Sequence, residues 1–249
     1  MIRPHPYITL VVLAVLLVAC DGDGGGSEAT PTSTVAPSPT HTPTATAPAP
    51  TPTVAIPNTA AATEIELPDG FAAYAVADGF YRPTSLSLSP DGAIYVSERH
   101  GSVFRLQDND GDGIFEQRSS FATGFGDITG IALAPQGPLY VSSTGRVTTV
   151  RDMDGDTVSD TAQDIIPNLP NGLHQNNGLV FGPDGKLYLT NGSTCDECEE
   201  ADERSATILQ ANPDGSDLHV YARGLRNPYD LVFDSSGRLW ATDNGSDAP

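Results

Sequence analysis

The chain has 249 residues, with 32 Asp and Glu against 12 Lys and Arg, a formal net charge of −20. That balance argues against nucleic acid as a partner and against electrostatic adhesion to anionic lipid. About 180 residues follow a low-complexity N-terminal region, enough for a domain with a real core.

At the N-terminus, Arg3 precedes an apolar run from Tyr7 to Ala19, too short for a comfortable membrane span and matched to a signal-peptide core. The run ends Leu17-Val18-Ala19-Cys20, which resembles a bacterial lipobox. Residues 1–20 are therefore expected to be a lipoprotein signal peptide, with Cys20 lipidated. Residues 21–63 are rich in Gly, Pro, Thr and Ala, lack apolar clusters and read as a disordered tether. The expectation is an exported protein, at the cell surface or in the periplasm, held to the membrane through the lipid on Cys20 alone. Residues 64–249 form the folded domain.

Within that domain one turn recurs four times, as Ser89-Pro90-Asp91-Gly92, Ala134-Pro135-Gln136-Gly137, Gly182-Pro183-Asp184-Gly185 and Asp234-Ser235-Ser236-Gly237. The spacing, about 45 to 52 residues, is that of propeller blades. Short β-rich runs flank each turn: Leu86–Leu88 and Ala93–Val96 around the first, Leu179–Phe181 and Leu187–Leu189 around the third. Third strands are expected at Ser102–Leu106, Arg146–Val150 and Ala206–Gln210, and fourth strands at Phe115–Phe121, Thr161–Ile166 and Leu218–Ala222. Four antiparallel strands per repeat predict an all-β propeller; a β-sandwich would not require the repeat.

Two acidic loops interrupt the blades. Asp108, Asp110, Asp112 and Glu116 stand at positions 1, 3, 5 and 9 of a loop with Gly113 at 6, the start of an EF-hand-like calcium loop. Asp152, Asp154, Asp156 and Asp160 repeat the spacing with Thr157 in place of the glycine. Both are candidate structural Ca2+ sites; neither ends in the bidentate Glu of a full EF-hand.

Counting back from the turn glycines locates the candidate chemistry. Tyr81, Gly126, His174 and Arg226 lie eleven positions before them, and Arg82, Asp127, Gln175 and Asn227 lie ten before. Loops leading into the innermost strands open on one face around the channel, so His174, Gln175, Arg226 and Asn227 should share a pocket. A neutral imidazole there can take a proton from a hydroxyl, and a guanidinium can stabilise developing negative charge. Cys195 and Cys198, in an export context without a second pair of metal ligands or a thioredoxin-like βαβ pattern, are expected to form a disulfide that staples the acidic insert Asp196 to Glu203. Asn191-Gly192-Ser193 and Asn244-Gly245-Ser246 match glycosylation acceptors but read as turns.

His174-Gln175, Gly182 to Tyr188, Gly224-Leu225-Arg226-Asn227-Pro228 and Thr242-Asp243-Asn244-Gly245 together resemble the soluble quinoprotein sugar dehydrogenases, the glucose/sorbosone dehydrogenase family. The resemblance runs from about Leu67 to the end and is nearest the sorbosone-dehydrogenase-like branch, which also carries an insert like Ser193 to Cys198. It implies a six-bladed propeller holding pyrroloquinoline quinone (PQQ) and Ca2+, present here as a fragment of about four blades. By position, it implies that His174 is the base removing a sugar hydroxyl proton while hydride passes to the quinone. Arg226 would contact quinone and substrate, Asn227 and Gln175 would bind the cofactor, and the carbonyls of Gly245 and Ser246 would bind calcium. Electrons would pass to a quinone or cytochrome acceptor. Glucose-type members carry acidic residues where this chain has Leu173 and Ser193, which speaks against glucose as substrate. The chain ends two strands into the fourth blade, before the family's further basic cofactor ligands. Two rival functions are a calcium-dependent lactonase-like hydrolase, with Asp127, Gln175 and Asn227 as candidate metal ligands, and a non-catalytic propeller that binds glycans or proteins.

Overall fold

The computed structural model describes residues 8–12, 66–68, 71–135 and 137–246. Cys20 and the tether of residues 21–63 lie outside them. Strand β1 (Ile8–Val12) pairs antiparallel with β2 (Tyr74–Phe80), a strand the repeat pattern does not announce. Three four-stranded antiparallel sheets follow. The first is β3 (Pro83–Leu88), β4 (Ile94–Glu98), β5 (Ser102–Gln107) and β6 (Gln117–Thr123), paired in chain order. The second is β7 (Ile128–Leu133), β8 (Leu139–Ser143), β9 (Arg146–Arg151) and β10 (Thr161–Ile166). The third is β11 (Asn176–Phe181), β12 (Leu187–Asn191), β13 (Thr207–Ala211) and β14 (His219–Arg223). A two-stranded sheet, β15 (Asn227–Phe233) and β16 (Leu239–Asn244), completes a partial propeller.

The repeated turns close each first hairpin in the same way. The amide of Gly92 donates to the Ser89 carbonyl at 2.9 Å, and that of Gly185 to the Gly182 carbonyl at 2.9 Å. Gly92 sits at φ 87° and Gly185 at φ 75°, where a Cβ is strained.

The core lies between blades rather than within them. β8 and β12 are buried at every position because neighbouring sheets cover both faces. One contact recurs with the sequence period. The tyrosine three residues after the turn glycine packs edge-on against the residue four before the next one: Tyr140 on Phe181 at 4.9 Å between ring centroids, and Tyr188 on Phe233 at 4.9 Å. Such a pair contributes about 0.5–1.5 kcal/mol beyond the area it buries. Innermost strands of adjacent blades approach so closely that a Cβ on Gly130 would meet the Asn177 carbonyl oxygen at 2.5 Å. On the outer face of the last sheet, Val232 and Trp240 stand 58% and 57% exposed.

Antiparallel order sends alternate connections to opposite ends. Loops leading into β7, β11 and β15 share one end with the β4–β5, β8–β9 and β12–β13 connections. The turn glycines and both acidic loops, which join β5 to β6 and β9 to β10, lie at the other.

Candidate functional site

At the first end a cavity of about 390 Å³ is lined by Arg99, Asp127, Thr129, Thr144, His174, Gln175, Asn177, Asn227 and Tyr229, with Asn171, Gly172 and Leu173. This falls in the usual range of small-molecule sites, roughly 300–1,000 Å³. Backbone bonds tie the loops within and between blades: Gly192 N–H donates to the Gln175 carbonyl at 3.0 Å inside the third blade, and Ser193 N–H to the Arg226 carbonyl of the fourth at 2.8 Å. Side chains of the third blade are thereby set against those of the fourth.

His174 presents its ring at the cavity wall with Nδ1 2.8 Å from Ser193 Oγ. Ser193 Oγ lies 2.6 Å from the Cys195 carbonyl, and Cys195 is disulfide-bonded to Cys198. No protein group among the described residues hydrogen-bonds His174 Nε2.

Gln175 also lines the cavity, but its amide braces the wall. Its Nε2 donates to the Asp127 carbonyl at 3.1 Å, and its Oε1 accepts from Thr144 Oγ1 at 2.7 Å. Asn177, buried at the base of β11, donates through Nδ2 to Asn227 Oδ1 at 2.9 Å and to the Pro228 carbonyl at 3.0 Å. Accepting that bond turns the Asn227 carboxamide so that its NH2 is left for other acceptors. The carboxylate of Asp127 is taken by Arg99 Nε at 2.9 Å. With Asp127, Gln175 and Asn227 each committed to a protein partner, these three do not form an open cation cage of the kind a lactonase-like hydrolase needs.

Arg226 departs from the expected shared pocket. Its side chain does not line the cavity and turns toward the disulfide loop, with Nε 2.9 Å from Asp196 Oδ1 and Nη2 on the same carboxylate. Nη1 donates to the Gly245 carbonyl at 2.7 Å. A cation at the carbonyls of Gly245 and Ser246 would have to displace that guanidinium. Nearby on β15, burial raises the pKa of Asp230 above the ordinary carboxylate value, against the pull of its bond from the Leu231 amide.

Counting from the turn glycines found His174, Gln175, Asp127 and Asn227 but missed Arg99 and Thr144 in the wall and Ser193 behind His174. These come from second-to-third-strand connections, which open at the same end; Arg99 and Thr144 each lie seven positions after a turn glycine, a second register that would have found them. Asn191, one of the matched acceptors, is fully buried, with Nδ2 on the Arg204 carbonyl at 3.1 Å, so it is closed to modification in the folded chain.

The acidic loops fold alike at the far end. Asp108 accepts from the amides of Gly111 at 2.7 Å and Gly113 at 2.8 Å; Asp152 accepts from Gly155 at 2.6 Å and Thr157 at 2.9 Å. Bonds from the Gly113 and Gly111 amides hold the Asp108 carboxyl below its ordinary pKa. For Asp152, burial opposes the same shift and the amides outweigh it. One carboxylate oxygen from each of Asp108, Asp110, Asp112 and Glu116 lies within 4.8 Å of the others, as does one from each of Asp152, Asp154 and Asp156; Asp160 instead caps the second loop by accepting from the Met153 amide at 2.6 Å.

A profile of the family described as a domain of unknown function (DUF7133) matches residues 97–249. No curated protein matches the chain in sequence. Among solved structures, the PQQ-bound aldose sugar dehydrogenase of Streptomyces coelicolor is similar at 25% identity and a TM-score of 0.60, covering 69% of this chain and 59% of that one. An oxidoreductase of Thermus thermophilus assigned as a glucose dehydrogenase is similar at 27% identity and a TM-score of 0.55, covering 66% and 57%. The PQQ domain of Coprinopsis cinerea pyranose dehydrogenase shares the fold at 18% identity and a TM-score of 0.60, covering 69% and 46%. The chain thus spans less than two thirds of the length of these proteins.

Proposed function

Because the chain belongs to the DUF7133 family, whose function is unknown, its activity has to be argued from the site, and we propose that it is part of a quinoprotein dehydrogenase that oxidises a sugar, polyol or related aldehyde. The observation that carries this reading is His174, held through Nδ1 with Nε2 unclaimed at a polar cavity, on a fold shared with a PQQ-bound aldose sugar dehydrogenase.

The wall suits an oxygen-rich, anionic quinone in part. Arg99, its charge paired with Asp127 through Nε, offers guanidinium N–H donors rather than an unbalanced cation, and Asn227 offers an amide NH2 left over after its bond from Asn177. Gln175 supports the wall rather than projecting a donor. Arg226 would reach a ligand only by leaving Asp196. PQQ, when bound, supplies a two-electron acceptor. His174 Nε2 would take the proton of the substrate hydroxyl, a step in which a positioned imidazole contributes about 10²–10⁴-fold. Ser193 and the Cys195 carbonyl keep the ring in place.

Calcium in the Asp108 and Asp152 loops would tie blade hairpins at the end remote from His174. Export and anchoring through Cys20, and delivery of electrons to a quinone or cytochrome, complete the proposal. The sorbosone-like branch stays within it, resting on the Ser193 to Cys198 insert.

Titration with PQQ in the presence of calcium, with sugar-dependent dye reduction, tests the reading. Saturable binding is expected, with dye reduction lost in His174→Ala and binding weakened in Arg226→Ala. Failure of the folded protein, in its full reading frame, to bind PQQ would overturn it.

A further inference from the structure

We propose that Ser193 is a positioning residue that locks the neutral His174 ring in the tautomer with hydrogen on Nδ1, leaving Nε2 as the proton acceptor at the cavity. The proposal deepens the dehydrogenase reading and takes from it the role of His174 as the base.

The assignment follows from counting donors. Ser193 Oγ has two neighbours at hydrogen-bonding distance, the Cys195 carbonyl at 2.6 Å and His174 Nδ1 at 2.8 Å. A carbonyl only accepts, so the single hydroxyl hydrogen goes to Cys195. The hydroxyl oxygen then has only lone pairs to offer the ring, and Nδ1 must carry the hydrogen. In a neutral imidazole the other nitrogen is consequently bare.

Nothing nearby loosens the arrangement. Ser193 is 4% exposed, so water does not compete for its hydroxyl. Its amide donates to the Arg226 carbonyl at 2.8 Å and its carbonyl accepts from the His174 amide at 3.1 Å, which fixes the serine to the loop it orients. The Cys195 carbonyl is restrained in turn by the disulfide ring. A carboxylate at position 193 would also accept from Nδ1 but would place a negative charge beside the ring. Serine imposes the tautomer without that charge, and it can do so only because the carbonyl of the cysteine loop takes its hydrogen.

The test needs no cofactor. Long-range proton–nitrogen correlation on the full chain with ¹⁵N-histidine, at a pH where the ring is neutral, reads the tautomer directly; His174→Asn identifies the signal among the five histidines. A pyrrole-type Nδ1 and a pyridine-type Nε2 are expected for His174, with the preference lost in Ser193→Ala and restored in Ser193→Thr. A pyridine-type Nδ1 in the unaltered protein would overturn the proposal. So would an unchanged spectrum in a folded Ser193→Ala. Should that variant fail to fold, the unaltered protein decides alone. Failure to bind PQQ with the Nδ1–H tautomer present would sink the dehydrogenase reading and leave the positioning of His174 standing.

Discussion

Arg226 and Asp196, thirty residues apart, are joined across two blades: Nε of the arginine lies 2.9 Å from the carboxylate that the disulfide loop holds out to it. The arginine side chain is only 12% exposed and the aspartate 41%, so the pair sits between a surface bridge and a buried one. Removing the aspartate leaves a partly buried guanidinium short of an acceptor. After discounting for the exposed half of the pair, Asp196→Ala should cost about 1 kcal/mol in denaturant unfolding. The same change should raise PQQ affinity several-fold, because Arg226 no longer has to leave Asp196 to reach the ligand. Glu203→Ala, which breaks the exposed pair with Arg223, serves as the control and should leave both quantities unmoved.

Asn177 is the buried strut under the site, 3% exposed and bonded to both Asn227 and the Pro228 carbonyl. Replacing it by leucine of similar length takes the donor from the buried Pro228 carbonyl and from the part-buried Asn227 Oδ1, a loss of about 1–3 kcal/mol. Urea unfolding should show a lower midpoint with an unchanged slope. A midpoint equal to that of the parent would mean the strut carries no weight.

Asp234 offers a pH signature. The indole N–H of Trp240, with the Arg238 amide and guanidinium, lowers its pKa to about 2. A carboxylate depressed in the folded state stabilises it above the unfolded pKa of about 3.9 and loses that contribution as pH falls through the folded value. The parent and Asp234→Asn should therefore differ in melting temperature at pH 6, converge between about pH 4 and pH 2, and coincide below that. A gap independent of pH would assign the effect to the hydrogen bonds rather than to ionisation.

The two acidic loops share a left-handed backbone position but fill it with different residues. Gly113 holds φ at 86°, and its counterpart Thr157 holds 71°, a β-branched residue in the left-handed region. Thr157→Gly should relieve that strain and raise stability by about 0.5–1 kcal/mol, whereas Gly113→Thr should lower it by at least as much. Calorimetry of the pair, with and without calcium, checks the sign of each.

The blades were legible because their turns recur with a period and their strands alternate with Pro, Asp and Gly; expected third and fourth strands fall within a residue or two of β5, β9 and β13 and of β6, β10 and β14. Strand β2 was not, since it precedes the first repeat and has no period to betray it. His174 and Asn227 could be placed at the cavity from register alone. The turn of Arg226 toward Asp196 could not, because backbone register fixes where a long side chain starts and an ion pair decides where it ends. Arg99 and Thr144 each stand seven residues after a turn glycine and were open to the same counting, carried past the turn instead of back from it; Ser193 lies one residue further on, in a connection whose length is its own.

An even number of strands per blade gives each blade two connections at either end of the sheets. The stretch from Gly192 to Ala206, between β12 and β13, is much longer than the two-residue link between β8 and β9, yet both hairpins pair in regular register. Ancestral chains could therefore have lengthened one link at the mouth of the cavity while leaving the aromatic steps between blades and the acidic loops beneath them as they were. Selection for a new ligand and selection for a durable scaffold would act on separate stretches of the same polypeptide.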